Sequence, residues 1–182
     1  MNVSISSTMN FAPIALFVYN RPWHTEQTLK SLAANKLATE SDLYIFADGA
    51  KGTIDTSAVN KVSQLILKTE GFKSVTIIKS EKNKGLANSI IDGVTLLLEK
   101  NEYVIVFEDD LLSSTYTLQY FNDALLKYRT DEKVMHIGAY MYNLKENKLA
   151  ETFFYSAVTS WGWATWKRAW KHFEPDINKL IS

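Results

Sequence analysis

Five short apolar runs constrain this chain more than any other feature. They are Ile14 to Tyr19 (IALFVY), Leu43 to Ala47 (LYIFA), Val75 to Ile78 (VTII), Tyr103 to Phe107 (YVIVF) and Val134 to Ile137. Each is a continuous run rather than an alternating one, as in strands covered on both faces. Apolar residues at helical spacing separate them. Pro22 suits a first helical turn, followed by Leu29, Leu32 and Ala33. Val59, Val62 and Ile66 mark a second helix that Gly71 can end. Ile90, Ile91, Val94, Leu97 and Leu98 form the clearest stripe. Ser113 or Ser114 can cap a fourth helix carrying Leu118, Phe121, Leu125 and Tyr128. This β-α alternation predicts right-handed crossovers and a mostly parallel sheet in a three-layer α/β/α arrangement. The alternation stops near Tyr140. Asn143 to Glu151 reads as a charged turn, Phe153 to Ser156 as a further short strand, and the segment from about Ala164 as a helix. Residues 1–12 are expected to be a flexible leader, and 13–182 a single domain.

Composition removes several function classes. Twenty Lys and Arg balance twenty Asp and Glu, so the basic surplus of a nucleic-acid binder is missing. With no cysteine, disulfides, zinc thiolates and thiol nucleophiles are excluded. No apolar run approaches the ~18 residues of a membrane span. The opening MNVSISSTMN has neither the basic nor the apolar part of a signal peptide, so the expected location is the cytoplasm.

In an open parallel sheet, ligands bind beyond the carboxyl ends of the strands. Those ends carry Asn20-Arg21-Pro22, Asp48-Gly49, Glu81-Lys82-Asn83-Lys84-Gly85 and Glu108-Asp109-Asp110. Arg and Lys suit phosphates, and clustered carboxylates suit a hard cation such as Mg²⁺ or Mn²⁺. Together they suit a nucleotide diphosphate held through a metal. Three consecutive carboxylates repel one another, which a bound cation relieves; a helix cap accounts for one of them only. Asp48-Gly49 reads equally as an acceptor for a ribose or base and as a turn. Lys84-Gly85 reads as a phosphate approach or a plain helix entry. No G-x-x-x-x-G-K-[ST], G-x-G-x-x-G or G-x-S-x-G is present. His24, His136 and His172 have no metal-ligand spacing and read as structural or surface residues.

Four of the five Trp residues fall between Trp161 and Trp170. Trp163, Trp166 and Trp170 would share a helical face, with Trp166 and Trp170 in the core. Trp161 and Trp163 flank Gly162 and would offer flat faces to sugar rings. Peripheral docking at the inner face of the membrane through Trp, Lys167 and Arg168 is a third reading.

Taken in order, Tyr19-Asn20-Arg21-Pro22, Asp48-Gly49, Asn83-Lys84-Gly85-Leu86-Ala87, Glu108-Asp109-Asp110 and Ser160-Trp161-Gly162-Trp163-Ala164-Thr165-Trp166 resemble the GT-A nucleotide-diphospho-sugar glycosyltransferases. The likeness is to bacterial family 2-like enzymes and the N-acetylglucosaminyltransferase I type, over about Ile14 to Phe173. It implies a Rossmann-like GT-A fold and a metal-dependent hexosyl- or N-acetylhexosaminyl-transferase of surface polysaccharide or glycan synthesis. The donor would be a nucleotide-diphosphate sugar, UDP-linked by preference, and the acceptor a glycan or glycolipid. Glu108-Asp109-Asp110 takes the place of the D-x-D motif, with Glu as its first acid. Asp110 would ligate Mn²⁺ or Mg²⁺, while Glu108 and Asp109 would face the donor ribose and sugar. Arg21 and Asp48 would lie around the base, and Lys84 near the ribose or phosphate. Gly162 and Trp163 would line the sugar or acceptor site. Enzymes of this kind continue past the tryptophan segment into the region that carries the base, so the domain is expected to be cut short on its acceptor side; Glu174 and Asp176 are the nearby acids. The alternatives are a non-catalytic nucleotide-sugar-binding domain and a sugar nucleotidyltransferase.

Overall fold

The computed structural model describes residues 11–142 and 150–181. Most of the 1–12 leader and the charged turn at Asn143 to Glu151 therefore lie outside the described residues. The central strand is β1 (Ile14–Val18), all five of whose residues are buried. Ile14, Leu16 and Val18 face one apolar layer, and Ala15 and Phe17 face the other. A strand sandwiched this way has no polar face, which explains its continuous apolar run. Pro22 opens α1 (Pro22–Ala33), where its missing N–H breaks no hydrogen bond. After a short 3₁₀ turn come β2 (Asp42–Ala47), α2 (Thr53–Ile66), β3 (Ser74–Lys79), α3 (Leu86–Lys100), β4 (Tyr103–Glu108) and α4 (Thr117–Lys127).

The strand order is β3-β2-β1-β4-β6-β5, where β5 is Ile137–Gly138 and β6 is Trp163–Trp166. The first four are parallel; β6 runs antiparallel to β4, and β5 antiparallel to β6. The fold is thus the expected α/β type, with a six-stranded, mostly parallel sheet between helices. Leu29, Leu32, Val62, Ile66, Leu118, Phe121 and Leu125 bring α1, α2 and α4 onto one face. Val94, Leu97 and Leu98 bring α3 onto the other. At Gly93 the helix lies so close that a Cβ would stand 2.8 Å from the Phe17 ring.

Five local expectations need correction. The aromatic segment is not helical from Ala164: Trp163–Trp166 is a strand, and only Lys167–Trp170 (α5) is helical. Trp163 and Trp166 therefore point to opposite faces, Trp166 into the layer of α1 and Trp163 into that of α3. Their spacing fits a helix on paper, but β4 has an edge needing a partner, and Tyr103 pairs with Trp166 and Val106 with Trp163. The fifth run forms only a two-residue strand, outside β6 rather than beside β4. Phe153 to Ser156 makes no strand. Neither Ser113 nor Ser114 caps α4 through its side chain. Tyr116 precedes that helix, while Ser113 bonds Asn35 at 2.9 Å. Similarly, α2 ends at Ile66, and Gly71 instead occupies a turn with φ +91° before β3. A short helix, α6 (Ile177–Leu180), closes the described chain.

Candidate donor and metal site

The chain leaves β1 toward β2 on the face of α1 and returns to β4 on the face of α3. The strand order therefore reverses between β1 and β4, whose carboxyl ends lie side by side at this switch point of the sheet. Arg21, just past β1, reaches across it. Its Nη2 donates to Asp109 and its Nη1 to Asp110 at 2.8 Å. Asp109 is 2% exposed, with the Tyr19 amide at 3.4 Å and Thr25 Oγ1 at 3.5 Å on its other oxygen. Its carboxylate is thus turned inward and held by the protein's own donors. Asp110 remains about two-fifths exposed. Glu108 ends β4 and is half-buried; burial and the charge of Asp110 push its carboxyl above the ordinary range, against the pull of Arg21. Arg21 therefore answers part of the mutual repulsion read from the acidic triplet, while Glu108 still feels the charge of Asp110.

Asp48, after β2, turns out to be the clasp between two loops. Its carboxylate accepts from the amides of Gly49 at 2.9 Å, Lys84 at 2.9 Å and Gly85 at 3.0 Å. The Asn83 side chain donates to the Gly49 carbonyl at 2.9 Å. The contact is so close that a Cβ on Gly49 would lie 2.8 Å from the backbone of Lys82. Lys84 puts its ammonium 2.7 Å from Asp92. Asp48 and Lys84 line one open cleft of about 120 Å³ on the α3 side. These bonds give Asp48 a share in holding the fold together. Asp48→Ala should lower stability by about 2 kcal/mol, since three amides lose a charged acceptor. Asp48→Asn should retain about half of that. Thermal denaturation of both variants checks it.

A second cleft, of about 370 Å³, opens beside Asp110. Its walls include Phe107, Ser113, Ser114, Tyr140, Trp161 and Gly162. Gly162 has φ +71°, the left-handed region that suits glycine, and this turn sends Trp161 outward and Trp163 inward. Trp163 is 9% exposed and stacks on His136 at 5.4 Å and Trp170 at 6.2 Å, so its ring belongs to the core rather than to the cleft wall. Burial lowers the His136 pKa, and its Nε2 lies 3.1 Å from the Thr159 carbonyl. Tyr140 and the two serines were not assigned to a site by sequence reasoning. The signal was available in Gly138-Ala139-Tyr140, which directly follows a strand.

The basic residues of the membrane reading are used inside the protein. Arg168 donates to the carbonyls of Tyr128, Arg129 and Val134, each at 2.9 Å, and sits over the Trp166 ring. Lys167 donates to the Glu99 carbonyl at 3.1 Å. No helix among the described residues is long and apolar enough to cross a membrane.

No group of three or more His, Asp or Glu among the described residues is placed to hold a metal ion. Mg²⁺ and its like are commonly bound through one or two carboxylates, with substrate phosphates supplying the other oxygens. Asp110, partly exposed on a cleft wall, fits that open kind of site and not a closed protein cage.

No protein-family model matches the sequence, and no curated protein matches it. Among solved structures, the mannosyltransferase PcManGT from Pyrobaculum calidifontis, in complex with GDP-Man and Mn²⁺, is 17% identical. It matches over 69% of this chain and 34% of its own, with a TM-score of 0.45. TarS from S. aureus is 16% identical over 65% of this chain and 20% of its own, with a TM-score of 0.46. The chain thus spans about a third and a fifth of the lengths of these two glycosyltransferases.

Proposed function

We propose that residues 13–182 form a nucleotide-sugar-binding glycosyltransferase domain that moves a sugar from a nucleotide-diphosphate donor to a glycan or glycolipid hydroxyl, in surface polysaccharide or glycan synthesis. One observation carries this reading: Arg21 and Asp110 pair at the adjoining carboxyl ends of β1 and β4, where Asp110 lines a cleft large enough for a sugar. Asp110 would hold Mn²⁺ or Mg²⁺, and the cation would neutralise the diphosphate as it departs. Arg21 adds positive charge on the same side. Glu108, at the end of β4, would face the donor ribose and sugar, and Asp48 and Lys84 line the neighbouring cleft, which would take the nucleotide. In the transfer, the acceptor oxygen bonds to the anomeric carbon as the bond from that carbon to phosphate breaks. The electron pair leaves with the nucleoside diphosphate, and the acceptor proton passes to a base.

A second reading rests on the cleft beside Asp110, where Asp110 is the one carboxylate among the described lining residues. A domain that binds the donor without transferring its sugar needs no further base. Calorimetric titration with UDP- and GDP-linked sugars, with Mn²⁺ or with EDTA, tests both. Donor binding that needs Mn²⁺ is expected. Equal affinity in EDTA overturns the metal bridge, and no binding of any donor overturns the function. Release of nucleoside diphosphate separates a transferase from a binding domain.

A further inference from the structure

Arg21 is delivered to its two acids by a short stretch, Tyr19-Asn20-Arg21, between β1 and α1. The rear of this stretch is fixed by Thr25, whose amide and hydroxyl both donate to the Arg21 carbonyl at 2.9 Å. The front is held by a residue that no motif marks. Asp55, in the first turn of α2, accepts from the Tyr19 hydroxyl at 2.7 Å on one oxygen and from the Asn20 side-chain amide at 3.3 Å on the other. The Lys51 amide donates to the Tyr19 oxygen at 3.1 Å, and the Tyr19 amide faces Asp109 at 3.4 Å. Tyr19 thus ties the end of β4 to the loop that follows Asp48. Burial and the bond to Asp55 raise the Tyr19 phenol above its ordinary range, so at neutral pH it remains the donor. An acid in a first helical turn commonly serves that helix alone, by bonding its amides or opposing its dipole. Here the residue before α2 is Gly52, which has no side chain to cap it, and still both oxygens of Asp55 serve the loop after β1. A charged acceptor holds its donors more strongly than a neutral one, which suits a strut between two loops.

We infer that Asp55 is a positioning residue: through Tyr19 and Asn20 it sets Arg21 where the guanidinium forks onto Asp109 and Asp110. This rests on the donor reading above only in giving Arg21 a diphosphate to meet. The Arg21 side chain is about two-fifths exposed, so its direction of approach depends on where the backbone starts it. A fork must match two carboxylates at once, and a loop displacement on the order of 1 Å costs part of the pairing. Asp55 itself lines neither cleft, so its effect reaches a ligand through this loop.

Two readouts test it, and the first needs no ligand. The Arg21 guanidinium protons, followed by ¹⁵N-edited NMR, should exchange slowly with water in the wild type. Asp55→Ala should speed that exchange at least about fivefold, the effect of losing a hydrogen bond of ordinary net strength. Asp55→Asn, which still offers one oxygen to the phenol, should restore part of the slow exchange. Tyr19→Phe serves as the second variant should Asp55→Ala fold poorly, and should act in the same direction. The second readout is calorimetric titration with UDP and GDP in the presence of Mn²⁺. Asp55→Ala should weaken binding about fivefold in the wild type and less than about twofold in an Arg21→Lys background, because lysine keeps the charge but not the fork. A purely structural role would weaken binding alike in both backgrounds, and that result overturns the inference. Guanidinium exchange indifferent to both Asp55→Ala and Tyr19→Phe overturns it as well. A wild type that binds neither nucleotide overturns the transferase reading instead, and the exchange rates then decide the role of Asp55 by themselves.

Discussion

Arg21→Ala should lower the melting temperature by roughly 6–12 °C, corresponding to about 3 kcal/mol in a chain of this size. The reason is Asp109. At 2% exposed it has little access to water, and Arg21 is the one cation among the described residues bonded to it. Truncating one member of such a pair leaves a buried charge without its partner, which costs more than the pair itself contributes. Arg21 is itself partly exposed, which places the effect at the lower end of the usual range. Arg21→Ala combined with Asp109→Asn should recover most of the loss, because the double variant has neither charge. A thermal double-mutant cycle measures this. A melting temperature within about 2 °C of wild type for the single variant would mean that water reaches Asp109.

Asp110→Asn should behave in the opposite way. Its pair with Arg21 is exposed, and such pairs contribute about 0–1 kcal/mol, so the fold should hardly notice. Relief of acidic repulsion, which the bare triplet would suggest as a gain in stability, is already supplied in part by Arg21. Mn²⁺-dependent donor binding, in contrast, should largely disappear, and transfer should fall about 10²–10³-fold. Asparagine keeps the shape and one oxygen but not the charge that holds a cation. Calorimetry for the donor and thermal denaturation without metal measure the two halves. Unchanged Mn²⁺-dependent binding would place the cation elsewhere. The two variants together separate the acid that supports the fold from the acid proposed to work on the ligand, although they are adjacent in sequence.

What was legible in the sequence is what depends on local burial. Ile14 to Tyr19, Leu43 to Ala47 and Tyr103 to Phe107, which supply β1, β2 and β4, are read from apolar continuity, because a strand covered by helices on both faces cannot carry a polar side. The stripe of Val94, Leu97 and Leu98 is read from helical period for the same reason. The strand ends followed at once, and with them the neighbourhood of Arg21, Asp48 and Glu108-Asp109-Asp110, since parallel strands all finish on one edge.

Partnership was decided only in three dimensions. Asp109 and Asp110 look alike in sequence, yet the alternation of side chains at the end of β4 and the reach of Arg21 bury one and leave the other in the cleft. Asp48 looks like a turn residue or a ligand acceptor, and only the approach of the Lys82 to Gly85 loop makes it a clasp. The tryptophans were misread as a helix because three- and four-residue spacings fit a helix, while the open edge of β4, over fifty residues earlier, requires a strand. Short-range period records which side chains avoid water. It holds no record of which distant edge, charge or loop will meet them, because those meetings are set by the closing of the sheet and the packing of helices on its two faces.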